Sequence, residues 1–64
     1  MFKKNIRTAY GRLVGWIDNN KAYTDSGRYL GYYDRSKDAT FSPSGKLLAQ
    51  GDILSALVWA PNLF

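Results

Sequence analysis

Three aspartates, Asp18, Asp34 and Asp52, stand at one recurring position along this chain, with nine Lys and Arg residues distributed around them. Two carboxylates held a few ångströms apart can serve as a general acid and a general base or nucleophile. The rest of the composition argues against that use. There is no His and no Cys, and all five acidic residues are Asp. The bases that most often activate a nucleophile are therefore missing, as are the usual zinc ligands. A carboxylate that returns in each copy of a repeat serves the repeat. The expected role is to accept backbone N–H bonds at strand ends. The glycines stand singly, at the wrong spacing for either common phosphate-binding fingerprint. No stretch is acidic enough for a calcium loop. The chain is expected to be no enzyme, with no catalytic residue, metal or cofactor.

Binding is the better supported class. Arg12, Arg28 and Lys46 share one repeat position, so folding can align them as a basic stripe. Tyr10, Trp16, Tyr29, Tyr32 and Tyr33 are interleaved with them. Small β domains bind single-stranded nucleic acid by stacking bases on aromatic rings within a basic groove. The same residues have plainer uses, since exposed Lys and Arg protect sheet edges and aromatics fill cores. Protein–protein interaction asks for less, because Tyr, Trp and Arg are the side chains enriched at interface hot spots. The candidate interface residues are Trp16, Tyr29, Tyr32, Tyr33, Leu57, Trp59 and Phe64. The last eight residues, Leu57 to Phe64, are apolar to the end. Free termini are usually polar and frayed, so this segment is expected to dock. A protein-interaction or self-assembly module is the leading expectation, and a nucleic-acid binder the alternative.

A repeat must position these groups. Gly11-Arg12-Leu13-Val14-Gly15-Trp16-Ile17-Asp18 aligns with Gly27-Arg28-Tyr29-Leu30-Gly31-Tyr32-Tyr33-Asp34, and more loosely with Gly45-Lys46-Leu47-Leu48-Ala49-Gln50-Gly51-Asp52. Copies run near 11–26, 27–44 and 45–60 within a single domain, 1–64. That period suits two short strands and two turns. Asn19-Asn20 suits a two-residue hairpin turn with both residues at positive φ. Asp25-Ser26-Gly27 and Ser42-Pro43-Ser44-Gly45 suit type I turns closed by Gly. Strands are expected near 4–10, 12–18, 21–25, 28–34, 38–42 and 46–50. Residues 53–59 fit a last strand, favoured by Val58 and Trp59. They also fit a short helix capped by Asp52, with Leu54, Leu57 and Val58 on one face and Pro61 after its end.

The fold class that follows is all-β: an antiparallel meander of repeated hairpins with five or six strands, curled into a small barrel-like or stacked sheet. Simple alternation puts Leu13, Gly15 and Ile17 on one face and Val14 and Trp16 on the other. It likewise groups Tyr29, Gly31 and Tyr33 against Leu30 and Tyr32. Neither face is polar, so both need cover. With 64 residues and 16% aromatics, the chain is short of interior. Without disulfide or zinc, oligomerisation is the remaining common remedy. A homo-oligomer or another protein partner is expected. Gly15 and Gly31, both mid-strand, mark bends or close approaches.

Gly15-Trp16-Ile17-Asp18 and Gly31-Tyr32-Tyr33-Asp34, each followed by a turn and another strand, resemble the short β-hairpin repeats of small bacterial and phage-borne proteins, including WG-type repeats. The resemblance spans roughly residues 11–52, and the third copy departs from it by lacking the aromatic. It implies a β architecture with a binding or assembly role. No window is long and apolar enough to cross a membrane, and the basic start lacks the apolar stretch of a secretory leader. The cytoplasm is the expected compartment.

Overall fold

The computed structural model describes residues 3–62. Six strands, β1 (Lys3–Arg7), β2 (Leu13–Asp18), β3 (Lys21–Thr24), β4 (Tyr29–Asp34), β5 (Ala39–Phe41) and β6 (Leu47–Gln50), precede one helix, α1 (Leu54–Trp59). The strands form a single antiparallel sheet in chain order. The meander is as expected. The sheet is open, however, and does not close into a barrel. The reason is α1, which lies across β2, β3 and β4 and covers one face without the sheet having to fold over itself. The result is a slab of 34 × 27 × 18 Å, about the thickness of one sheet and one helix.

Residues 53–59 thus depart from the strand favoured by their composition. Asp52 Oδ1 accepts the Leu54 N–H at 3.0 Å. Leu54, Leu57 and Val58, at helical spacing, are 2%, 1% and 1% exposed. A short helix buries all three on one side, whereas a strand would turn alternate residues outward. Thr40, fully buried on β5, fixes where the helix begins. Its hydroxyl donates to the Gly51 carbonyl at 2.7 Å and accepts the Ile53 N–H at 3.1 Å.

The turns follow the repeat. Asn19 and Asn20 have φ of 52° and 61°, the two-residue geometry that matches strand twist. The other hairpins share one design. In Thr8–Arg12, Thr24–Arg28 and Ser42–Lys46 the N–H of Gly11, Gly27 or Gly45 donates to the first residue's carbonyl at 2.9–3.0 Å. The first residue's hydroxyl accepts the N–H of Arg12, Arg28 or Lys46 at 3.0–3.2 Å. Each Gly sits near φ +90°, a conformation that penalises any Cβ. Because Thr8–Arg12 is a turn, the first strand ends at Arg7 and not near residue 10.

Each copy also carries a β-bulge at one place. Ile6 pairs with Gly15 while Arg7 pairs with Leu13, and the shift recurs at Tyr29/Gly31 and Leu47/Ala49. The additional residues are Val14, Leu30 and Leu48. All three pack against the core formed by Ile6, Ala22, Leu54, Leu57 and Val58. A bulge advances side-chain alternation by one residue, which corrects the faces expected from simple alternation. Val14 joins Gly15 and Ile17 under the helix, and Leu13 joins Trp16. Leu30 joins Gly31 and Tyr33, and Tyr29 joins Tyr32. Gly15 and Gly31 lie where α1 comes down on the sheet. A Cβ on Gly15 would meet the Tyr23 carbonyl oxygen and lie 2.7 Å from Val58 Cγ1, and one on Gly31 would meet the Phe41 carbonyl oxygen and lie 3.1 Å from Leu57 Cδ1.

Candidate interaction surfaces

The face of the sheet away from α1 carries five aromatic rings, with Asn5, Asp18 and Lys21 beside them in the strand register. The bulges bring them there, by turning Tyr29 to the side of Tyr23 and Tyr32. Trp16 stacks on Tyr23 with centroids 5.7 Å apart, and Tyr23 meets Tyr29 at 5.7 Å in a tilted pair. Tyr32 stacks on Phe41 at 5.4 Å. These are cross-strand neighbours, so the rings stand in two short ladders running across the strands. Lysines close the ladders at either side. Lys3 Nζ lies 4.4 Å from the Trp16 ring and Lys37 Nζ 5.5 Å from Phe41, within cation–π range. Trp16, Tyr23 and Phe41 thus each have two neighbours among these rings and ammonium groups, while Tyr29 and Tyr32 each have one. What the surface offers outward is ring edges and tyrosine hydroxyls, without cover from any other element among the described residues.

The electrostatics of this face are mild. Burial pushes the Tyr29 phenol up, helped by the nearby phenols of Tyr23 and Tyr32. The Tyr33 phenol, on the helix side, is raised chiefly by its 2.6 Å hydrogen bond to Asp38 Oδ1. Asp34 is lowered, first by the Ser36 hydroxyl at 2.6 Å and also by the Ser36 N–H at 2.9 Å. Asp34 and Asp52 therefore accept backbone N–H groups beside turns and helix starts. Asp18 sits in register with Lys3 and Lys21.

A second surface lies along one end of the sheet. In a meander, alternate turns fall at the same end, so the turns at 8–12, 24–28 and 42–46 stand side by side, two strand spacings or roughly 10 Å apart. Arg12, Arg28 and Lys46 occupy the same place in each, and all three are exposed. Here lie also the large exposed hydrophobic side chains among the described residues, Tyr10 (99%), Leu47 (54%) and Trp59 (53%). A groove of about 330 Å³ runs between the first two turns and the end of α1, lined by Arg12, Asp25, Val58, Trp59 and Pro61 among others. A smaller one of about 150 Å³ lies on the other side of Pro61, with Arg28 and Pro43 on its walls.

The structure thus divides the residues selected from sequence. Trp16, Tyr29 and Tyr32 lie together on the aromatic face. Tyr33 lies under the helix beside the core. Leu57, 1% exposed, is a core residue and offers nothing to a partner. Trp59 projects from α1 at the turn end. Phe64 lies outside the described residues. Arg12, Arg28 and Lys46 do align, but along the turn edge and not on the aromatic face. Tyr23 and Phe41 went unselected, and Tyr10 stood only among the aromatics interleaved with the basic residues. Tyr10 was signalled in the sequence, because it stands before Gly11 where the other copies have Ser26 and Ser44. Among the described residues no helix is long and apolar enough to cross a membrane. No family model, curated protein or solved structure matches the chain.

Proposed function

We propose that this protein is a non-enzymatic self-assembly module that docks a second copy of itself on the aromatic face. The observation that carries this reading is two ladders of large, half-buried rings on a sheet face with no cover among the described residues. A layered β architecture buries its sheet faces, and the helix supplies cover for only one of them. The rings lie on the slab's broad side, 34 by 27 Å across, the flattest surface a partner could meet. The side chains are of the right kind. Tyr and Trp bury much area at little entropic cost, and ladders already stacked on their neighbours lose little further freedom. Two of the repeat's three acids, Asp34 and Asp52, are engaged in a turn and at the helix start, which supports a role without chemistry.

Light scattering on a size-exclusion column across a concentration series tests the reading. The expected mass is a stable multiple of 7.2 kDa. Tyr32→Glu places a charge in the middle of the face at a half-exposed site. It is expected to weaken self-association at least tenfold while the circular dichroism spectrum stays native. A wild-type chain that remains monomeric at millimolar concentration would sink the proposal.

A further inference from the structure

We propose that the turn edge is a separate binding surface for single-stranded nucleic acid. Tyr10 carries the inference. In the second and third turns the equivalent residue is a serine, and its hydroxyl shares a 2.9 Å hydrogen bond with Thr24 or Ser42. The first turn gives up that bond for a phenol ring that is 99% exposed. At that exposure the ring contributes nothing to the core. Its backbone is nonetheless firmly held. The Tyr10 N–H donates to Thr8 Oγ1 at 3.2 Å, and Arg7 Nη1 donates to the Gly11 carbonyl at 3.1 Å. A bare aromatic face on a braced turn is a stacking platform.

The cations beside it complete the pattern. Arg12 shares the turn with Tyr10, and Arg28 and Lys46 continue the row at roughly 10 Å steps. Asp25 is the one acidic residue in these three turns. Trp59, half exposed across the groove from Arg12, offers a second ring. Stacked bases held by rings, with phosphates held by separate cations, is how single strands are bound without sequence readout. A duplex hides its base faces and would leave Tyr10 without a partner. An acidic peptide would satisfy the cations but not the rings. On the other surface Trp16, Tyr23 and Phe41 are already flanked by rings or ammonium groups, whereas the Tyr10 ring is bare on both sides. The inference does not rest on self-association, since the two surfaces share none of these residues.

Fluorescence anisotropy of a labelled oligothymidylate of about twelve nucleotides, at about 50 mM salt, tests it. Saturable binding is expected, with a slope of log K against log salt near −2 for three phosphate contacts. Tyr10→Ala should weaken binding about tenfold or more. Arg12→Ala, Arg28→Ala and Lys46→Ala should each reduce the slope by about 0.7. Tyr32→Glu should weaken self-association and leave Tyr10→Ala still defective, which separates failure of one proposal from failure of the other. The inference is overturned if no saturable binding occurs or if Tyr10→Ala binds like the wild type. It is equally overturned if a duplex, or polyglutamate of matching charge, competes as well as the single strand.

Discussion

Replacing Thr40 by Val tests how the helix is fixed to the sheet. Val has nearly the shape of Thr, so the change removes a hydroxyl and little else. That hydroxyl makes two hydrogen bonds, to the Gly51 carbonyl at 2.7 Å and from the Ile53 N–H at 3.1 Å. Thr40 is fully buried, and no other polar side chain among the described residues is. Leaving the partly buried Ile53 donor unpaired costs about 1–3 kcal/mol, and the Gly51 carbonyl loses its hydroxyl donor as well. The valine methyl and its better strand preference return less than about 1 kcal/mol. The expected net loss is about 2 kcal/mol, which for a domain of this size lowers Tm by about 10 °C. Urea or thermal unfolding should be followed at one fixed protein concentration, because self-association makes the midpoint concentration-dependent. Thr40→Ser keeps both hydrogen bonds and loses a methyl group, worth about 1 kcal/mol. The expected order is wild type, then Ser, then Val. A Val variant as stable as the Ser variant would refute the assigned role of the hydroxyl.

Gly15→Ala should destabilise the fold by about 2–3 kcal/mol, because its Cβ strikes the Tyr23 carbonyl and crowds Val58. Thermal melts of Gly15→Ala with Val58→Ala should show only partial relief, since the carbonyl remains. Titrating the phenols by ultraviolet absorbance should show Tyr29 and Tyr33 ionising later than a free tyrosine, and Asp38→Asn should return Tyr33 towards the ordinary value. The Tyr33–Asp38 bond raises the folded pKa, so its stabilisation is full below about pH 10 and is lost as pH rises through that raised value. Asp34 is the opposite case. Its depressed pKa stabilises the fold above about pH 4, and that contribution is lost as pH falls through the folded value, as acid unfolding of wild type against Asp34→Asn should show.

Much of the architecture was legible because it is local. Asn19-Asn20 specifies its turn through two backbone angles that few residue types tolerate. The glycines at 27 and 45 do the same for two of the three matching hairpins, whereas the turn at Thr8–Arg12 emerges only in the structure, where the expected strand to residue 10 stops at Arg7. Turns of known length set the strand order, since a meander needs nothing beyond nearest-neighbour pairing. The basic stripe was legible for the same reason, because equivalent residues in equivalent turns must line up. The residue facing was not. A bulge of one residue reverses every later side chain, and whether Val14, Leu30 and Leu48 are accommodated in pairing or pushed out of it depends on what lies beneath the sheet.

What the sequence determined by itself is the hairpin repeat, its turn chemistry and the alignment of Arg12, Arg28 and Lys46, each fixed by interactions within a few residues. What only the tertiary structure decided is that Leu54 to Trp59 coil into a helix, that this helix takes the Gly15 and Gly31 side, and that the aromatic rings are left on the other. That choice depends on burying Leu54, Leu57 and Val58 against side chains up to about fifty positions away in sequence, Ile6 among them. No local preference encodes it, and the same apolar residues written as a strand would have left the sheet without its cover.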